Sequence, residues 1–530
     1  MNRKIWKALG IAVCMLALAA PRAMAETNSH YVSNNEQFAD AVRTINNKSK
    51  IGDENEIVLM HDITLEGNYI LTNGKTTTIK GEGKTITVNQ GAGIKVTGEK
   101  TTLNLGAEGY AEKLTIDGNA KGAFITVSGG ATAYMYENVT LQNRQQVDQA
   151  CVVLEENSVF NMHGGVIQNC KGKYGGVSLK NGSRFIMEGG TISECEANAG
   201  GGLYADNSTV TIKDGTISGC KAVNGYGGGL YAKNYSTVTI EGGTISECCT
   251  TSDIGMGGGL YAYSSTITIS GGTIKNNKAI YGGGVALNSV TKFEKPITNW
   301  TVIGNEAYKT KSGSGNGGIG GGIYLDNGKD VLMDISDGSN KIYNNQAKGH
   351  GADICLDGRT SSIKLPIAAN MGAKYHDSGI NIDNWYKDDN PRYTPSKDGK
   401  PVENLHLSGK QSLVASYTVI PVYIEIDANG GVGGSGSQTV HEGTTVTLEA
   451  PTKEGHLFKG WKDEKGNSYP AGADGKVNIT VTEDMTLTAE WKKLPSAENL
   501  PKTGDESPVL LWGAVLAVSA AACFMLRRRK

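Results

Sequence analysis

Tyr204, Tyr231, Tyr261 and Tyr324 each follow the apolar residue of a glycine-led phrase that recurs along the chain, as in GGGLYADN from Gly200. Aromatic rings repeated at one outward position can line up as a platform for the apolar faces of sugar rings. Equally, they can pack on their cross-strand neighbours as ordinary strand residues. Asp206, Lys233, Tyr263, Asn288 and Asp326 follow three places after the apolar position. A glycoside hydrolase needs two carboxylates held together, and a calcium-dependent lyase needs oxygen ligands for the cation beside a basic group. No two carboxylates stack in this column, and the adjacent Asp388 and Asp389 fall outside the repeats. Gly349-His350-Gly351 occupies a glycine-turn position without acidic partner motifs. No catalytic residue is therefore assigned.

The sulfur chemistry reads in the same columnar way. Of nine cysteines, Cys14 and Cys523 lie in the terminal segments, and Cys170, Cys195, Cys220 and Cys248 share one repeat position that later holds Asn277, Asn305 and Asn345. Neighbours at coil spacing come close enough to bridge. A position shared with asparagine predicts instead a side-chain ladder that works without disulfides, and the odd number of remaining cysteines argues against full pairing; their redox state is left open. With no CxxC pair and only 8 histidines, neither a metal nor another cofactor is expected.

The elements that must position these residues follow from three phrases per period. GGTIS-like phrases place Ile167, Ile192, Ile217, Ile245 and Ile274 at steps of 25, 25, 28 and 29 residues. GGxYA-like phrases place Val177, Leu203, Leu230, Leu260 and Val285, and a third set gives Phe185/Met187, Val210/Ile212, Val238/Ile240 and Ile267/Ile269. Alternation of period two makes each phrase a strand with its apolar residues on one face. Glycine marks the turns, and stacking of successive periods buries the apolar columns. The expected fold is all-β, a parallel β-helix of about 11 coils at ~4.8 Å spacing. Propeller blades have longer periods and sandwiches no fixed one. The pairs Thr209/Thr211, Thr237/Thr239 and Thr266/Thr268 are explained by β-propensity. SNNEQFADAVRTIN, with Asn35 as cap and Phe38, Ala41, Val42 and Ile45 on one face, predicts a short helix closing the N-terminal end.

Phrases such as GGTIKNNKAIYGGGVAL and NKIYNNQAKGHGADI resemble the repeats of bacterial right-handed β-helix surface proteins, including polymorphic membrane proteins and pectate-lyase-like folds. That fold hosts adhesins, lyases and hydrolases, so the resemblance implies architecture and leaves activity open. IEIDANGGVGG, PTKEGHLFKGW and VTEDMTLTAEW are similar to the landmarks of the internalin-type B repeat, with Asp427, Asn429, Gly430, Gly431, Phe458, Gly460, Trp461 and Trp491 at the family's places. The resemblance implies a small β-rich domain acting as a spacer or a partner-binding module.

The termini set the expected location. Arg3, Lys4 and Lys7 precede an apolar run that ends in Ala23-Met24-Ala25, the pattern of a secretory signal peptide cleaved after Ala25. Leu500-Pro501-Lys502-Thr503-Gly504, the apolar segment from Val509 to Leu526 and the basic tail Arg527–Lys530 resemble the cell-wall sorting signal of Gram-positive surface proteins. By that resemblance a sortase cleaves after Thr503 and joins it to peptidoglycan, leaving the protein on the extracellular surface. The expected division is 1–25 signal peptide, 26–367 solenoid with cap, 368–419 closure and linker, 420–492 B repeat, and 493–530 linker and sorting signal with its transmembrane segment. Between the two cleavage points lie 43 basic and 51 acidic groups, net −8. Nothing in that balance suggests nucleic acid, which would favour a basic stripe. The expected function is a wall-anchored adhesin or glycan-binding solenoid, with a glycan or a host-surface protein as ligand. A polysaccharide lyase or hydrolase and a non-binding stalk are the alternatives.

Overall fold

In Thr209–Ile212, Val210 and Ile212 are buried while Thr209 and Thr211 are half-exposed, the alternation that the phrase TVTI dictates. The computed structural model describes residues 27–494 apart from 119–121, 146–148, 289–290, 309–316, 327–331, 337–338, 358–361, 367–379, 389–405, 409–410, 420, 442–443, 473 and 482. Two compact units divide between Thr418 and Val419.

The first unit is a right-handed β-solenoid of about eleven turns. Equivalent residues of successive coils pair directly. Leu203, Leu230, Leu260, Val285, Ile323 and Ile354 form one continuous parallel column. Three long sheets result: sheet I contains Leu203–Asp206, sheet II contains Thr209–Ile212 and sheet III contains Thr216–Ser218. Their inward residues make one core that runs from Val32 to Ala415.

Three strands per coil is an undercount for much of the rod. Lys171–Tyr174, Glu196–Ala199, Lys221–Tyr226, Cys249–Thr250, Lys278–Ala279, Glu306–Ala307 and Gln346–Ala347 form a fourth, seven-stranded sheet IV. Most of these strands bury one small residue, as at Gly172, Ala197, Ala222 and Ala279. A single small side chain gives too little hydrophobic contrast for a period-two signal.

Both ends of the solenoid are closed. At the N-terminus, helix α1 (Asn35–Lys48) buries Phe38, Ala41, Val42 and Ile45 over the first coil, with Phe38 edge-on to Tyr69 at 5.0 Å. Its cap is Asn34 rather than Asn35: Asn34 is extended and its side chain accepts from the Gln37 N–H at 3.0 Å. Asn35 is the first helical residue, and its Oδ1 accepts from Glu66 N–H and the Tyr69 hydroxyl, tying the helix to the coil. At the other end parallel stacking stops. Ile354–Leu356 pairs antiparallel with Gln411–Val419, and Ser362–Lys364 pairs antiparallel with His406–Ser408.

The cysteine position is a ladder of free thiols. Cys170, Cys195, Cys220 and Cys248 are buried and unbridged, each Sγ lying 3.2–3.3 Å from the carbonyl two residues earlier. Hydrogen bonding to the preceding thiol, then burial, pushes the Cys195 and Cys220 thiols well above the usual thiol range. Asparagine continues the column with better partners. Asn277 Nδ2 donates to Ile245 O at 3.0 Å and to Asn305 Oδ1 at 2.9 Å, and Asn305 Nδ2 donates in turn to Asn345 Oδ1 at 2.9 Å. The last rung is a carboxylate. Asp353 Oδ1 accepts from Asn345 N–H and Nδ2–H at 3.0 and 2.8 Å, and Oδ2 accepts from the Ala415 N–H of the capping strand at 2.8 Å. A thiol reagent applied to the folded chain is expected to modify Cys249 first, since among the described cysteines it alone is not buried. Mass spectrometry of the labelled peptides checks this, and early labelling of Cys195 or Cys220 would contradict the packing.

The second unit holds a five-stranded and a two-stranded sheet around Val422, Ile424, Leu448, Trp461, Ile479 and Leu487. Phe458 sits edge-on to Trp461 at 5.3 Å and to Trp491 at 5.6 Å. Trp491 closes over the Asn429-Gly430-Gly431 turn: its Nε1–H donates to Ala428 O at 3.3 Å, and a Cβ on Gly431 would meet its ring at 2.6 Å.

Candidate functional site

The corner between sheets IV and I carries the tyrosines. The coils that carry Tyr204, Tyr231, Tyr261 and Tyr324 enter sheet I through a glycine run whose first member is left-handed, as at Gly200 with φ 63°. The first outward side chain after that turn is the tyrosine. Tyr204, Tyr231 and Tyr261 follow one another from coil to coil, Tyr204 edge-on to Tyr231 at 5.7 Å and Tyr231 stacked on Tyr261 at 5.2 Å.

Of the two arrangements open to these tyrosines, packing on neighbours holds for three of them and an exposed platform at Tyr204, Tyr261 and Tyr324 does not. Tyr204, Tyr261 and Tyr324 are each only 3% exposed, so no sugar ring reaches their faces. The residue before each glycine run covers them. Tyr226, Met256, Tyr281, Ile319 and His350 follow one another as a row of parallel bridges along the corner. Tyr226 stacks on Tyr231 and Tyr261 at 5.7 and 5.4 Å, and Tyr281 lies 5.2 Å from Tyr324. The result is a small apolar ridge outside the main core. Its accessible edge consists of the half-buried rings of Tyr174, Tyr226, Tyr231 and Tyr281. Tyr174, Tyr226 and Tyr281 escaped the sequence reading because they belong to the weakly patterned sheet IV and its trailing turns. Burial pushes the Tyr231 hydroxyl up to about 12, so it stays protonated at neutral pH.

A polar shoulder runs beside the ridge. Asp206 accepts from the Tyr204 hydroxyl at 3.2 Å and from Asn234 Nδ2 at 2.8 Å, and faces Lys233 Nζ at 3.3 Å.

At the far end a carboxylate pair appears that the columnar reading missed. Tyr324 Oη lies 3.3 Å from Asp326 Oδ1 and 3.2 Å from Asp357 Oδ2, the two acids standing at one position of neighbouring coils. The absence of stacked carboxylates is thus overturned, and the signal was legible: ICLD at 354 repeats IYLD at 323. One hydroxyl proton serves one carboxylate at a time. Burial first, and the Asp357 charge with it, raise the Asp326 carboxyl above the ordinary value against the Tyr324 hydrogen bond.

His350, in the turn where the sequence places it, points Nδ1 at Ser412 Oγ at 2.8 Å, with Cys355 Sγ at 3.7 Å. The nearby N–H groups of Gly351 and Ala352 already donate to Asp388 at 3.3 and 2.6 Å. Those two amides therefore cannot receive an oxyanion, and the cluster reads as part of the closure. Among the described residues no group of three or more His, Cys, Asp or Glu is placed to hold a metal ion, and no helix is long and apolar enough to cross a membrane. Ala23, Ala25, the motif Leu500-Pro501-Lys502-Thr503-Gly504 and the apolar segment after it lie outside the described residues.

With this geometry in hand, comparison with protein families gives two matches. Residues 150–347 match the family described as right handed beta helix region, and residues 420–495 match the divergent InlB B-repeat domain. Searches of curated proteins and of solved structures return no match. A β-solenoid with a β-helix match, followed by a β-rich unit with a B-repeat match, fits a surface or structural protein.

Proposed function

We propose that this is a wall-anchored extracellular protein whose solenoid binds glycan chains along the tyrosine ridge, with the B-repeat domain as spacer. The export pattern ending at Ala25 and the sorting motif Leu500–Gly504 support the location, with sortase as processing partner and peptidoglycan as the attachment through Thr503. The observation that carries the binding role is the row of half-buried rings, Tyr174, Tyr226, Tyr231 and Tyr281, beside the hydrogen-bonding side chains of Asp206, Lys233 and Asn234. Ring edges and faces supply apolar contact for sugar C–H groups, and the shoulder supplies partners for hydroxyls.

The test is depletion of plant, mucin and wall polysaccharides from solution by the purified chain, with product release measured in parallel. Tyr226→Ala with Tyr281→Ala is expected to weaken depletion about tenfold, two rings at roughly 0.5–1.5 kcal/mol each, while the melting curve shows the rod intact. Depletion unchanged by the pair of substitutions would sink the ridge as the binding surface. No depletion of any polymer would leave a protein-specific adhesin or a stalk.

The carboxylate pair supports a second reading, a glycoside hydrolase that uses Asp326 and Asp357 as acid and base. Oligosaccharide products that vanish in Asp326→Asn and Asp357→Asn would establish it, and polymer depletion without products would exclude it.

A further inference from the structure

The N-terminal end of the ridge differs from the rest in charge. Tyr174 stacks on Tyr204 with centroids 4.1 Å apart, and the ammonium groups of Lys180 and Lys173 stand 4.8 and 5.6 Å from its ring centroid. Lys173 is exposed, and Lys180 and Tyr174 are half-buried. On the following coils the lysines beside this corner are neutralised: Lys233 faces Asp206 at 3.3 Å, Lys221 faces Glu196 at 3.4 Å and Lys278 faces Glu306 at 3.1 Å. Lys173 and Lys180 have no such carboxylate among the described residues. Two like charges gathered at one ring repel each other, and an anion between them relieves that repulsion while the ring holds the side chains in place. Asp206, the register partner of Lys180, is already engaged by Lys233 at 3.3 Å, and Asp326 and Asp357 occupy the opposite end of the ridge.

We propose that Lys173 and Lys180 over Tyr174 form an anion subsite that makes the ridge selective for acidic polysaccharide, taking a uronate carboxylate at this end. The inference rests on the reading of the ridge as a glycan-binding surface and adds to it the charge class and the direction in which the chain lies. A carboxylate is drawn to the paired ammoniums and repelled from Asp326 and Asp357, which orients an acidic chain end. The attraction is between partly exposed groups, so salt screens it.

The test compares hyaluronate with the same polymer after methyl esterification of its carboxylates, which removes charge and keeps the backbone. The whole chain is expected to bind hyaluronate about tenfold more tightly than the ester at about 50 mM salt, and equally at about 500 mM. K173Q with K180Q is expected to bring hyaluronate down to the level of the ester and to leave binding of the ester unchanged. Equal binding of the two polymers by the unaltered chain, no binding of hyaluronate, or a preference for hyaluronate that survives K173Q with K180Q would each overturn the subsite. Tyr226→Ala with Tyr281→Ala separates the two readings. Loss of both polymers in that variant upholds the ridge whatever the lysines do. Hyaluronate binding that survives it, yet is lost in K173Q with K180Q, upholds the lysine subsite and removes the ridge.

Discussion

Asp353→Ala is expected to cost the solenoid about 3–5 kcal/mol and to release the capping strand Gln411–Val419 before the rest of the rod unfolds. Asp353 is wholly buried and is the final acceptor of the asparagine ladder. Without its carboxylate the backbone N–H groups of Asn345 and Ala415 lose their side-chain acceptor, and each buried orphan costs about 1–3 kcal/mol. The loss falls at one end of a stack in which each coil touches only its neighbours, so the opening is local. Hydrogen exchange at the Ala415 and Asn345 amides, accelerated in the variant while α1 stays protected, is the confirming result. Unchanged exchange at Ala415 would show that the strand is held by its sheet pairing alone. Asp353→Asn keeps an acceptor for Asn345 and turns an NH2 toward Ala415, so its cost is about half as large.

The same residue sets a pH dependence. Burial pushes the Asp353 carboxyl from 3.8 up to about 7, against the N–H donors of Ala415 and Asn345, with Asp388 adding to the rise. A carboxyl whose pKa is raised on folding stabilises the native state below its unfolded value, and this stabilisation is lost as pH rises through the folded one. Denaturant stability is therefore expected to fall between about pH 4 and pH 7 and then level off, on the order of 4 kcal/mol at 1.36 kcal/mol per unit. In Asp353→Asn the contribution of this group to the slope disappears. A slope unchanged by the substitution would assign the titration to another group.

Large, strictly alternating side chains made sheets I to III legible in the sequence. Val210 and Ile212, or Leu203 and Ala205, state their face without reference to anything else. Sheet IV was hidden because Ala197 and Ala222 are small, and the cap residue slipped by one because Asn34 and Asn35 are chemically equivalent until backbone angles separate them. The tyrosine column was legible as a column, but its exposure was not. Alternation assigns Tyr204 to the outside of sheet I, and only the fold shows that Tyr226 and Tyr281, from another part of each coil, lie over that outside. The carboxylate pair fell between these cases. Its position was periodic, but the coil holding Asp357 follows an irregular stretch, and the column was followed one coil too few.

Gly202→Ala is expected to destabilise the rod by about 3 kcal/mol or more, the second large effect, and it explains why the repeated phrase carries a run of glycines rather than one. The first glycine of the run, Gly200, is fixed by its left-handed backbone, but Gly202 is not. At Gly202 the constraint is space. A Cβ there would stand 2.7 Å from the carbonyl oxygen of Gly229 in the next coil, 2.7 Å from Ile217 Cγ2 and 3.3 Å from Cys220 Sγ. The carbonyl belongs to backbone that is hydrogen-bonded along the stack, Leu203 N–H donating to Gly229 O at 2.8 Å. Relief therefore means separating two coils, where ordinary overpacking of about 1–3 kcal/mol needs only a side chain to turn. Gly67→Ala is the control: its Cβ would meet only the Tyr69 ring, at 3.8 Å or more, and its effect is expected to stay within about 0.5 kcal/mol. Because Gly202 lies against the thiol ladder, separation of the coils also has a chemical signature. Cys195 and Cys220 become reactive toward a thiol reagent in Gly202→Ala, in step with the fall in melting temperature, and remain inert in Gly67→Ala. A Gly202→Ala chain with unaltered melting and silent thiols would mean that the stack yields without opening, and that the glycine run serves the turn alone.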